Sequence, residues 1–252
     1  MIRRRQFFTL LGGAAAWPLA ARAQQPDRMR RVGVLMGVPE SNSAKVWVSA
    51  FVQGLAALGW EDGRNVRVDT RWTGGDISKV KSYAAELVSL KPDVIVAAGT
   101  QGTTVLQQET TSIPIVGVQV GDLVASGLVT SLARPDGNIT GFTNFEGSIG
   151  GKWVATLKEV APGIDRVGVI LNPDNIAHAG LSRTIETSSL SLGLRVTAIP
   201  VRSAAQIEVL VNAFAPGSRG ALIIPPDTVI LSHVNLIIAL VQVSESVGPI
   251  ST

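Results

Sequence analysis

The sequence predicts an α/β protein built as two doubly wound parallel-sheet lobes. Three observations carry that reading. Short apolar runs alternate with amphipathic helical stretches along the whole body of the chain, the pattern of parallel strands joined by right-handed helical crossovers. The strand-like runs are too many for one sheet, and a polar break holding Gly147, Gly150 and Gly151 falls near residues 142–150. Composition agrees: 46% of residues are hydrophobic and only 16% charged, enough to bury cores and too apolar for a disordered tail.

Arg31–Met36 is a short apolar run ending in Gly37, Val38 and Pro39 and is expected as a buried strand. Ser43–Leu58 sets Trp47, Ala50, Phe51, Leu55 and Leu58 at three- and four-residue spacing, one apolar helix face closed by Gly59. Asn65–Trp72 alternates Val66, Val68 and Thr70 with Arg67, Asp69 and Arg71, a strand with one solvated face. A helix over Ile77–Leu90 stops at Lys91 and Pro92. Further strands are expected at Asp93–Ala98, Pro114–Val118, Ile139–Thr143, Arg166–Leu171, Leu194–Val201 and Ala221–Ile224. Helices fill the intervals at Thr103–Glu109, Gly151–Val160, Ala179–Leu192, Ala204–Phe214 and Val229–Val247. The organisation that follows is a signal segment over 1–23, a short lead over 24–30, a first lobe over 31–143 and a second over 144–252.

The charge balance, 22 Lys plus Arg against 19 Asp plus Glu with a pI near 9.6, suggests an anionic partner only until it is located. Arg3, Arg4, Arg5 and Arg22 lie in the first 23 residues, which hold no acid, and beyond them the balance is 18 against 19. No nucleic-acid-tracking cluster remains. A basic start, an apolar run from Phe7 to Ala16 and the small-x-small site Ala21, Arg22, Ala23 have the layout of a secretory signal peptide. The run is too short to span a bilayer, which needs about 20 residues. Arg4 and Arg5 before Gln6 and Phe7 also fit the twin-arginine export signal, with ordinary secretion the alternative. The body is therefore expected in the periplasm, without a membrane span. The chain has no cysteine, which excludes disulfides, thiolate catalysis and Cys-based metal sites.

Ligands of doubly wound sheets lie beyond the carboxyl ends of the strands, where helix N-termini present unpaired N–H groups. That rule selects Gly37 and Ser41 after the first strand, Gly99, Thr100 and Gln101 after the third, and Gln119 and Asp122 after the fourth. In the second half it selects Asn172, Asn175 and Asp227. Any one of Ser41, Thr100 and Asp227 could instead be a helix cap; as a set facing one cleft they suit a small ligand. Thr143 and Asn144 join the set at the crossing between lobes, where Phe142 and Phe145 could stack on a planar ligand or form hinge-side core. Catalytic signals are weak. His178 and His233 are not at metal-ligand spacing, and there is no nucleophile elbow, phosphate loop or dinucleotide fingerprint. Neither a cofactor, a metal nor an enzymatic activity is expected.

Residues 121–141 read GDLVASGLVTSLARPDGNITG. This resembles the GDPVxxGLVxSLARPGGNITG stretch of bacterial ABC-transporter substrate-binding proteins of the periplasmic-binding-protein type I fold, in the tryptophan/tyrosine-binding group. Leu123 replaces the usual Pro, and Asp136 the usual Gly. GLAALGWEDG at 54–63, Arg71 with Trp72, AELV at 85–88, DVIVAAGT at 93–100 and the helix opening Gly150, Gly151, Lys152 support the match. The resemblance implies a clamshell that closes on a small solute, such as an amino acid, and docks on a membrane permease. It places Gly99, Thr100, Gln101 and Asp122 opposite Asn172 and Asp227, and carries over poorly to Glu40 and Ser41. Relatives continue past the point where this chain stops at Val247–Thr252, with a return that completes the first lobe. The first lobe is thus expected to lack its C-terminal segment, leaving sheet edge and apolar surface uncovered. Two other readings stand beside the binding protein: an exported α/β enzyme, and a truncated remnant without transport activity.

Overall fold

The computed structural model of the protein describes residues 28–214 and 219–246. The signal segment expected over 1–23 and the terminal stretch Val247–Thr252 lie outside them. Two all-parallel sheets are present, as expected. In the first, β1 (Arg30–Met36), β2 (Val66–Trp72), β3 (Val94–Ala98), β4 (Ile115–Gly121) and β5 (Ile139–Phe145) lie in the order β2-β1-β3-β4-β5. In the second, β6 (Arg166–Leu171), β7 (Arg195–Pro200) and β8 (Gly220–Ile223) lie in the order β7-β6-β8.

One face of the first sheet is covered by α2 (Ile77–Ser89) and α3 (Thr100–Glu109), which bury Leu87, Val105 and Leu106 against Leu35, Ile95 and Ile115. The opposite face carries α1 (Asn42–Ala57), with Val48 and Phe51 against Val32, Val34 and Met36. Here the structure departs from the periodicity. Trp47 is 49% and Leu58 78% exposed, and only Ala44 of α1 is fully buried. Among the described residues no second helix packs beside α1, so the flanks of its apolar stripe face solvent although its spacing is helical.

The second sheet is sandwiched. α4 (Ile149–Val160) and α5 (Ala177–Ser191) set Val154, Leu181 and Ile185 on Val167 and Val169. On the other face α6 (Ala204–Phe214), α7 (Thr228–Ser232) and α8 (Val234–Ser246) contribute Ile207, Val211, Ile230 and Ile237 around Ile170. The single helix expected over Val229–Val247 is thus two. His233 ends α7, its N–H bonding the Ile230 carbonyl, and its own carbonyl accepts from Ile237 to start α8.

Two further differences bear on the cleft. β4 extends to Gly121 through a register shift, with Gln119 at a φ of 55°, so Gln119 sits in an irregular strand rather than in a loop. β5 runs on to Phe145, which puts Thr143 and Asn144 inside the first sheet. Phe142 and Phe145 part company: Phe142 is 71% exposed, whereas Phe145 is buried in the second lobe's core with its ring 6.2 Å from that of Trp153.

Candidate functional site

The carboxyl ends of both sheets meet where α7 begins. Asp227 caps α7, accepting from Val229 N at 2.8 Å and Ile230 N at 3.2 Å. The same carboxylate accepts from the side-chain amides of Asn172, at 3.2 Å to each oxygen, and Asn175 at 2.9 Å. All three side chains are buried. A carboxylate out of water is tolerated there because donors surround it. Of the two roles weighed from sequence, the structure gives Asp227 the helix cap, and the cluster makes it the anchor of the second lobe's loops.

His178, on the first turn of α5, completes this cluster. Its Nδ1 accepts from the Asn172 backbone N–H at 3.0 Å, and its Nε2 lies 3.4 Å from the Asn175 side-chain amide. Burial pushes the imidazole below its usual range, against the opposing pull of the Asp227 carboxylate. The unfolded chain therefore takes up this proton first as pH falls. The stability contributed by neutral His178 is complete above about pH 6.5 and is lost below it, by at most about 1.4 kcal/mol per pH unit. Urea midpoints measured between pH 7.5 and 5 are expected to fall more steeply for the native chain than for His178→Gln. Equal slopes would show that His178 is not the group responsible.

On the first lobe, Gly99 caps α3 at a φ of 101°, which only glycine adopts without strain. Thr100 accepts from Gly121 N at 3.0 Å and ties α3 to the end of β4. Gln101, 5% exposed, accepts through Oε1 from the Thr228 hydroxyl at 3.2 Å. Gly37 is buried beside them, its carbonyl accepting from Gly75 N at 2.7 Å. The structure thus brings Gly37, Gly99 and Gln101 against α7, and Asn172, Asn175 and Asp227 directly behind it. Asp122, at a φ of 39°, accepts from Ala125 N at 2.9 Å and Gly147 N at 3.1 Å, joining the first sheet to the approach of α4. Thr143 accepts from Leu123 N at 3.3 Å in the same junction. Ser41 caps α1 through Ala44 N at 3.2 Å; like Gln119 and Asn144 it is exposed and stands apart from the α7 contact.

Beside that contact lies a cavity of about 330 Å³ lined from both lobes. Gly74, Gly75, Asp76 and Ile77 enter from the β2–α2 turn and Gln101 from α3; Asp174, Arg202, Ser203 and Ala204 enter from the loops after β6 and β7, with Val229 and His233 from α7 and its end. Arg202 Nε donates to Asp174 Oδ2 at 2.9 Å. Asp76 caps α2, and the hydroxyl and N–H of Ser78 hold its carboxyl below the usual range, so it is an anion at neutral pH. The wall therefore offers a guanidinium, carboxylates, a carboxamide and helix N-termini, a set able to bind a small polar solute of mixed charge. Among the described residues no group of three or more His, Asp and Glu could hold a metal. Of these lining residues only Gln101 was selected from sequence. The turns after β2 and β7 obey the same carboxyl-end rule, and applying it to every strand would have found Asp76 and Arg202.

Residues 31–247 match the family described as ABC transporter substrate binding protein. The chain is 26% identical over 212 residues to the tyrosine-binding protein of Clostridioides difficile strain R20291, covering 83% of this chain and 60% of that protein. Among solved structures, a conserved domain protein from Vibrio cholerae O1 biovar eltor aligns with a TM-score of 0.76 at 25% identity, covering 86% of this chain and 72% of that one. The ABC domain from Streptococcus pneumonia in complex with L-Trp has the same TM-score and coverage at 23% identity. The chain thus spans 60% of the curated relative it matches. Its two parallel-sheet lobes and this match over most of its length place the chain in the ABC transporter substrate-binding protein family.

Proposed function

We propose that the protein is a periplasmic solute-binding component of an ABC importer. It holds a small organic solute, an amino acid or a molecule of similar size and polarity, between lobes 31–143 and 144–252 and presents it to a membrane permease. The observation that carries this is the cavity lined from both lobes at the carboxyl ends of their strands, since a solute touching both lobes stabilises their closure. Gln101 forms the first lobe's side of the site with Gly37, Gly99 and Thr100 packed beside it, Asn172, Asn175 and Asp227 support the second, and Asp76 and Arg202 face the solute. The names of the relatives, one tyrosine-binding and one complexed with L-Trp, support the amino-acid class. The signal-peptide layout of the sequence over 1–23 supports the compartment. Among the described residues no helix is long and apolar enough to cross a membrane. In this reading the protein binds its solute and does not transform it.

Thermal unfolding with L-tyrosine, L-tryptophan and a panel of amino acids and small organic acids tests this. A solute at a hundred times its Kd adds about 2.7 kcal/mol of stability, a rise of several degrees in Tm. Arg202→Ala is expected to remove most of the rise while leaving the solute-free Tm within about 1 °C, because its ion pair is exposed. A cooperative melt that no solute moves would overturn the assignment.

A further inference from the structure

Two Asp-Gly pairs occur in the sequence, Asp62-Gly63 and Asp136-Gly137, and all four residues are exposed. In such a pair the backbone nitrogen of glycine reaches the preceding carboxyl with no Cβ in the way. The structure treats the two pairs differently. At the first, both reacting groups are engaged. Gly63 N donates to the Val66 carbonyl at 2.8 Å, and Asp62 Oδ1 accepts from Val68 N at 2.9 Å, which ties the turn to β2. At the second, Asp136 Oδ1 accepts from the N–H and the hydroxyl of Thr130 at 3.0 and 2.8 Å, but among the described residues Gly137 N has no acceptor. Gly137 has a φ of 76°, and a Cβ built there would meet nothing within 4 Å. Asn138 behind it is fixed: its carboxamide donates to the Thr110 and Ile113 carbonyls at 3.0 and 2.8 Å, and its own carbonyl accepts from Ile115 N at 2.8 Å. A free amide thus follows the carboxyl in an open turn anchored at both ends.

We propose that Asp136-Gly137 is a modification site, converted spontaneously to isoaspartate through a succinimide, and that the turn holding Asp62-Gly63 protects the other pair. Gly137 N attacks Asp136 Cγ, and its proton leaves with the carboxyl hydroxyl as water. Water then adds to one of the two imide carbonyls. Opening at the side-chain carbonyl restores aspartate. Opening at the backbone carbonyl leaves isoaspartate, with the chain running through Cγ and a carboxylate on Cα. The protonated carboxyl is the reacting form, so the two Thr130 donors, which favour the carboxylate, slow the step. Conversion lengthens the backbone by one carbon and takes the acceptor from Thr130, in the stretch that leads into β5. No part of this depends on the solute-binding reading.

The test follows both pairs in one sample. The folded native chain is incubated for weeks at weakly acidic pH and digested, and electron-transfer fragmentation measures isoaspartate at each position. Isoaspartate is expected to accumulate about fivefold faster at 136 than at 62, because closure at 62 must first release an engaged backbone N–H. In guanidinium, where neither turn persists, the two rates should come within about twofold of each other. Thr130→Val removes the hydroxyl donor at nearly constant shape and should raise the rate at 136 about threefold while leaving that at 62 unchanged. Asp136→Glu, which would have to close a larger ring, should give no signal at 136. Circular dichroism on each sample verifies that the chain remains folded. A folded native chain that forms no isoaspartate at 136, or as much at 62 as at 136, overturns the proposal.

Discussion

Asp227→Ala is expected to lower the stability of the protein by about 3–5 kcal/mol, read as a fall in the urea midpoint followed by circular dichroism. The carboxylate accepts from four donor groups: the carboxamides of Asn172 and Asn175 and the backbone N–H groups of Val229 and Ile230. Truncation leaves Asn172 and Asn175 buried without this acceptor, at about 1–3 kcal/mol for each unsatisfied group, and removes a helix cap worth about 1 kcal/mol. Water reaching the new space would soften the loss but not cancel it, since the backbone donors of α7 face the same gap. Asp227→Asn retains one oxygen and should recover part of the stability. A loss below about 1 kcal/mol for the alanine variant would mean that the cluster is not held together by this carboxylate. Because Asp227 mounts Thr228, the alanine variant should also lose the contact between lobes.

Gly141→Ala is expected to cost about 3 kcal/mol. Gly141 lies in β5 in register with Gly117 of β4, and a Cβ there would meet the Gly117 carbonyl oxygen and come within 2.9 Å of its backbone carbon and nitrogen. A side chain could turn away from such a contact; a paired strand cannot, so β5 would have to leave the sheet edge. The backbone of Gly141 is not in the left-handed region, and space alone makes the difference. Gly163→Ala is the control: nothing lies within 4 Å of its Cβ and its φ is ordinary, so its effect should stay within about 0.5 kcal/mol. If the two variants melt together, β4 and β5 are not closely paired at this point.

Much of the architecture is local and was therefore legible. Strand and helix periods, the stop at Lys91 and Pro92, and the caps at Ser41 and Asp227 depend on residues a few positions apart. The family likewise follows from a contiguous stretch, residues 121–141. Where the sequence misled, the deciding neighbours were distant. The apolar stripe of α1 specifies a face but not what covers it, so Trp47 and Leu58 are exposed despite correct spacing. A helix that reads as continuous over Val229–Val247 breaks at His233. Gln119, read as a loop residue, lies in a bulged strand whose register is set by its partner β5.

The candidate site divides the same way. The sequence by itself determined two parallel-sheet lobes, the family, and the loops at the strand ends from which a cleft could be built. It could not say which polar residues of those loops face the cleft and which cap helices, because caps and ligand residues draw on the same Ser, Thr, Asp and Asn side chains. Only the tertiary structure decided that Ser41 caps an exposed helix, that Asn172, Asn175 and Asp227 satisfy one another, and that the turns after β2 and β7 line the cavity. It also placed Thr228 in a notch between Gly37 and Gly99, with Gln101 as partner across 127 residues of chain. Hydrogen-bonded turns and helix faces are governed by near neighbours, whereas contact between lobes depends on how two independently packed sheets meet, which no local pattern encodes.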